Sequence, residues 1–90
     1  MPAKPWFDHE IHLRHLPVED AMYRLEKYLD DAFVKEADQI RIVHGKGSGA
    51  LAEAVWLFLD GHPLVKSFRF AGHGDGDHGV TVTEMESRRK

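Results

Sequence analysis

The chain alternates between segments of period two and segments of helical period, and that alternation predicts its elements. From Glu10, apolar Ile11 and Leu13 alternate with polar His12 and Arg14, the pattern of a strand with one buried face. Pro17 fits the first turn of a helix, where its missing N–H costs nothing, and Glu19 and Asp20 complement the helix dipole. Ala21, Met22, Leu25, Leu29, Ala32 and Phe33 then recur at helical spacing to about Val34. Residues 39–43 are β-branched and short, and read as a second strand. Leu51, Ala54, Val55, Phe58 and Leu59 make a second helical stripe. Ser48 is its expected N-cap and Gly61 its C′ residue, with Pro63 preventing continuation. Residues 65–71 and 80–85 read as two further strands.

The order β-α-β-α-β-β contains two crossovers long enough to carry a helix between parallel neighbours. The expected fold is an α/β (α+β) two-layer sandwich: a four-stranded mixed sheet with two helices on one face. Residues 1–9 read as an N-terminal arm, residues 10–86 as a single stand-alone domain and residues 87–90 as a basic tail. No apolar run approaches the ~20 residues of a membrane span, and the first residues lack a secretory apolar region, so no membrane role is expected. The absence of cysteine fits a reducing, cytoplasmic setting. A net charge of −3 at pH 7 argues against a uniformly basic nucleic-acid binder, so such binding must come from local positive sites.

One such site is the run I-R-I-V-H-G-K-G-S-G-A-L over residues 40–51. A strand ends in His44, passes through Gly45, Lys46, Gly47, Ser48 and Gly49, and enters the second helix. Alternate glycines let successive backbone N–H groups converge on one point, and the helix N-terminus adds further donors and a positive dipole end. Lys46 adds a full charge and His44 an imidazole that titrates near neutrality. These parts suit an anionic ligand such as a phosphodiester better than an apolar small molecule. The spacing is neither that of a Walker loop nor that of a dinucleotide fingerprint, and a plain glycine-rich turn stands as the alternative.

Strand alternation groups further residues. With Ile11, Leu13, Ile40, Ile42, Phe68 and Phe70 facing the helices, Arg14, Arg41 and Arg69 project from the other face. Ser67 joins them and, if Val80 and Val82 point inward, so do Thr81 and Thr83. Such a face suits a phosphate backbone, or else forms a solvated surface whose arginines pair with Glu10 or Glu84. His73, Asp75, Asp77 and His78 share one loop but lack the ligand ladder of a calcium site and the fixed spacing of a zinc site. No metal ligand is assigned to them. Trp56 lies beside the second helical stripe and is expected to pack beneath Trp6 and Phe7 or against the first helix, with a partner surface as the alternative.

The segment H-G-K-G-S-G-A-L at residues 44–51 resembles the signature of the small MutS-related (Smr) domain family. E-I-H-L-R-H-L-P-V-E-D-A at residues 10–21 resembles its opening motif, E-L-D-L-R/H-G followed by an acidic pair and alanine. Residues 62–69 and 76–82 resemble its closing strands, so the likeness covers about residues 10–85. It implies a fold resembling the C-terminal domain of bacterial translation initiation factor three. It also implies binding of nucleic acid, DNA or RNA, and an endonuclease activity cutting a phosphodiester. On this resemblance the 45–49 loop holds the phosphate, with Arg14, Arg41 and Arg69 added to the binding set by the strand alternation above, and His44 activates water or protonates the leaving oxygen. His12 stands in place of the family's acidic residue, which makes it the second catalytic candidate beside His44, and His15 replaces the family's glycine. The lost carboxylate leaves nucleic-acid binding expected and weakens the case for catalysis. A divalent metal cofactor is compatible with the chemistry but marked by no residue pattern. A nuclease, a non-catalytic nucleic-acid-binding module, and a protein-interaction domain using Trp56 or the sheet face are the three readings the residues allow.

Overall fold

Each periodic segment forms the element its pattern predicts. The computed structural model describes residues 9–72 and 77–87. Its elements are β1 (Glu10–His12), α1 (Val18–Val34), β2 (Gln39–Val43), α2 (Ala50–Leu59), β3 (Val65–Phe70) and β4 (Val80–Met85), the last preceded by a 3-10 turn at Asp77–Gly79. Pro17 sits one position earlier than expected, at the N-cap of α1, and its carbonyl accepts the first helical bond from Ala21 N–H at 2.9 Å. β3 ends one residue short of Ala71. No helix among the described residues is long and apolar enough to cross a membrane.

The four strands lie in the order β1-β2-β4-β3. β1 and β2 are parallel, as a helical crossover requires, and β4 runs antiparallel to both β2 and β3. The last strand in sequence therefore enters the middle of the sheet, and its first four residues, Val80 to Thr83, are all buried.

Both helices cover one face. α1 buries Ala21, Leu25, Leu29 and Ala32, and α2 buries Val55 and Leu59, against Leu13, Ile40 and Ile42. Fully burying an aliphatic side chain of this size contributes roughly 1.5–3 kcal/mol. The register decides the facing of β4, which the sequence left conditional. Ile40 pairs with Thr83 and Ile42 with Thr81, so both threonines face the helices and are 0% exposed. Val80 and Val82 point the other way, where with Ala71 and Val43 they make a second, smaller apolar cluster. The alternation assigned to β1, β2 and β3 does hold. Glu10, Arg41, Val82 and Arg69 form one row across the sheet on the face away from the helices.

The turn between β1 and α1 carries local strain. His15 adopts φ 69°, the left-handed region that a residue with a side chain enters at a cost of about 1–2 kcal/mol. This is the position where the resembling motif has glycine. His15→Gly should therefore raise stability by roughly 0.5 kcal/mol, the relieved strain exceeding glycine's greater backbone entropy. Urea denaturation reads this as a higher midpoint at unchanged slope. In contrast, Ile42→Ala should cost about 2–5 kcal/mol by opening a cavity beneath both helices.

Candidate functional site

β1 and β2 are parallel neighbours, so their carboxyl ends open on the same edge of the sheet, the place where open α/β sheets commonly bind ligands. The chain leaves β1 through Arg14 and His15, and leaves β2 through His44 and the 45–49 loop. These segments and the start of α2 enclose a cleft of about 350 Å³ whose lining includes Arg14, His15, His44, Lys46, Ser48 and Leu51.

The loop is held by backbone pairing. The Gly79 carbonyl, at the entrance to β4, accepts N–H bonds from both His44 (3.0 Å) and Gly45 (2.9 Å). The Gly45 N–H, expected from sequence to face a ligand, is thereby used inside the fold. Gly45 has φ 81°, and the Arg14 side chain packs so closely over it that an added Cβ would lie 3.3 Å from Arg14 Cγ and Nε. Gly79 fits equally tightly against Gly45 and Lys46, since a Cβ there would meet Lys46 Cγ at 3.3 Å. Sequence reasoning missed Gly79, because its role depends on a strand pairing far along the chain.

The N-cap of α2 is Gly49, not Ser48, in a left-handed conformation (φ 90°). Ser48 acts one residue earlier, its Oγ accepting the Ala50 N–H at 3.3 Å. Among the described residues, the backbone N–H groups of Gly47, Ser48 and Gly49 have no partner in the fold. They lie beside the first turn of α2, whose own leading N–H groups lack helical acceptors.

His44 is not placed like a solvent-facing acid–base group. Its ring is 4% exposed and both nitrogens are bonded. Trp56 Nε1–H donates to Thr81 Oγ1 at 2.9 Å, so the Thr81 hydroxyl can donate onward to His44 Nε2 at 2.8 Å. His44 Nδ1–H then donates to the Gly45 carbonyl at 3.0 Å. These directions suit an imidazole whose proton is on Nδ1. Burial lowers the His44 pKa below the usual imidazole value, although the bond to the Gly45 carbonyl opposes the shift. Trp56 also packs on Phe70 (4.6 Å between ring centroids) and edge-on to Phe68 (4.8 Å). It thus packs over β3; the place expected beneath Trp6 and Phe7 lies outside the described residues.

The remaining candidates lie elsewhere. Arg41 Nε donates to Glu10 Oε2 at 3.0 Å, with the Arg41 side chain only 16% exposed. His12 Nε2 is 3.1 Å from Glu10 Oε1 and its side chain is 66% exposed. Burial alone would raise the Glu10 pKa, but its bonds to Arg41 and His12 hold it below the ordinary glutamate value. Arg69 is exposed on β3. His12, Arg41 and Arg69 line no part of the loop cleft, whereas Arg14, His44 and residues 45–49 do. Of the loop suspected of metal binding, His73 and Asp75 lie outside the described residues. Among those described, no three His, Cys, Asp or Glu side chains gather as a metal site.

The fold and site define a small α/β sandwich with an anion-suited loop between its second strand and second helix. The chain belongs to the Smr domain family, whose model matches residues 11–86. It is 49% identical over 77 residues to endonuclease MutS2 of Lachnospira eligens, and 50% identical over 82 residues to endonuclease MutS2 of Thermomicrobium roseum. These matches cover 86% and 91% of this chain but only 10% of each relative, so the chain spans about a tenth of their length. The crystal structure of the Smr domain of Thermus thermophilus MutS2 superposes with a TM-score of 0.85 at 37% identity, covering 87% of this chain and 98% of that one. YdaL, a stand-alone small MutS-related protein from Escherichia coli, shares the fold at a TM-score of 0.82 and 19% identity, over 87% of this chain and 64% of its own.

Two threonines on one strand give opposite expectations. Thr81→Val should destabilise by about 1–3 kcal/mol, because the Trp56 donor and the His44 acceptor lose their partner. The Thr83 hydroxyl is buried with no partner among the described residues, so Thr83→Val should stabilise by about 1 kcal/mol. Urea midpoints of the two variants check both signs. The lowered His44 pKa adds a pH dependence. The unfolded chain takes up a proton on this ring as pH falls below about 6.5 while the native state resists, so stability falls there and is unaffected above it. His44→Asn should flatten the decline between pH 7 and 5.5.

Proposed function

We propose that this Smr domain binds nucleic acid through its phosphodiester backbone, with the phosphate seated in the loop cleft. The observation that carries this reading is the convergence there of Arg14, Lys46 and the unpartnered N–H groups of Gly47, Ser48 and Gly49 beside the α2 N-terminus. Backbone N–H groups at a helix start complement a phosphate, and the two cations add charge that releases counterions on binding. With a net charge of −3, the attraction must come from local positive sites such as this edge of the sheet. The group recognised is common to DNA and RNA.

Phosphodiester cleavage is the second reading, favoured by the relatives named endonuclease MutS2. In that reaction the loop N–H groups and Lys46 stabilise charge developing on the phosphate oxygens. His44 serves as a positioning residue, since both its nitrogens are occupied by Thr81 and Gly45. His12 lies outside the cleft, so restoring a carboxylate there with His12→Asp is expected to leave any cleavage unchanged.

Fluorescence anisotropy with labelled single-stranded, duplex and branched DNA and with RNA tests binding. Affinity should fall as salt rises, and Lys46→Ala should weaken it across all sequences while reducing the salt slope by about one. An unchanged slope in a folded variant would move the phosphate away from this loop. Incubating the same substrates with and without Mg²⁺ or Mn²⁺ separates the nuclease from the binding module.

A further inference from the structure

The 45–47 segment is a ridge with a cleft on either side. On the side away from the helices lies a second cleft of about 370 Å³, lined by Arg14, Val43, Gly45, Lys46, Gly47, Gly79 and Val80. It shares Arg14, Gly45, Lys46 and Gly47 with the phosphate cleft, so the two cations border both. The chemistry of the two differs. The first offers unpartnered backbone N–H groups and a helix start; the second has the apolar floor of Val43 and Val80 beneath the Arg14 and Lys46 side chains. Its volume lies at the small end of the roughly 300–1,000 Å³ range of small-molecule sites.

We propose that this second cleft is a subsite for one unpaired nucleoside, attached to the phosphate held on the far side of the ridge. The inference rests on the phosphate reading above and specifies the substrate class, a strand with at least one unpaired base. Gly45 and Gly47 carry no side chains, which lets a sugar–phosphate chain pass over the ridge from one cleft to the other. An unstacked base would lie on Val43 and Val80 with the Arg14 guanidinium alongside, the combination of apolar contact and guanidinium stacking used on splayed-out bases. A base paired within a duplex cannot enter such a floor without leaving its stack. Duplex therefore gains only the phosphate contacts.

Three probes of equal strand length test this on the whole chain: an oligothymidylate, a strand of the same charge that is abasic at every position, and the oligothymidylate in a duplex, whose doubled phosphate count works against the expected preference. Affinity is measured by anisotropy, and the Val43 and Val80 methyl resonances and the Gly47 amide are followed by NMR. The ordinary single strand should bind about five-fold or more tighter than either other probe, and it alone should shift both valine methyls. All three probes should shift the Gly47 amide. Equal affinities with unmoved valine methyls would overturn the nucleoside subsite while leaving the phosphate site standing. An unmoved Gly47 amide with no salt-dependent binding of any probe would overturn both.

Discussion

The hydroxyl of Thr81 joins three elements at a single atom. It takes a hydrogen bond from Trp56 on α2, lies at the centre of the sheet on β4, and meets His44 at the end of β2. The orientation of each group follows from the others, since an indole nitrogen only donates and a neutral imidazole has one accepting nitrogen. His44 passes the constraint to the Gly45 carbonyl, and the Gly79 carbonyl secures the preceding peptide through the Gly45 N–H. The loop's shape is thus set from the core outward. Its glycines permit that shape, and the polar chain beneath selects it. The arrangement is costly to leave half-satisfied, because a buried donor or acceptor without a partner loses more than an ordinary hydrogen bond gains.

This dependence follows from where β4 lies. A strand inserted between β2 and β3 is buried on both faces, and both of its faces contribute to the site. Thr81 supports the loop from the helix side, while Val80 floors the second cleft on the opposite side. The backbone of Gly79, at the entrance to β4, holds the ridge between the two. The cations come from elsewhere: Arg14 leaves β1 and Lys46 lies in the loop itself. Both cations also pack against the loop's glycines, Arg14 over Gly45 and Lys46 against Gly79, so charge and loop geometry are coupled.

Much of this was legible in the sequence. The helical stripes and the strand alternation of β1, β2 and β3 each have one buried face, and a one-sided element declares its period. β4 does not. Its V-T-V-T run alternates two side chains of nearly equal shape, and both sides are buried, so hydropathy favoured turning the valines inward. Only the register with Ile40 and Ile42 decides otherwise. Trp56 was obscured for a related reason. A stripe drawn on an isolated helix marks a residue beside it as peripheral, although Trp56 reaches across to Phe68 and Phe70 on β3. The loop was visible through its glycines and lysine, but its use of the Gly79 carbonyl depends on a pairing that no local pattern encodes.

The same distinction bears on the histidines. A histidine at the end of a strand beside a glycine-rich loop has the residue type and position of an acid–base catalyst. An acid–base group needs a nitrogen facing the reacting atoms and a pKa near the working pH. The His44 ring borders the cleft with both nitrogens engaged, and burial lowers its pKa. His12 presents a solvent-facing ring but sits with Glu10 and Arg41, away from the cleft. In this chain the electrostatic work of holding a phosphate and the proton transfers needed to cut it are therefore separable requirements. The groups suited to the first converge around the loop. Proton transfer, if cleavage occurs, requires His44 to exchange one of its bonds or another group to reach the phosphate.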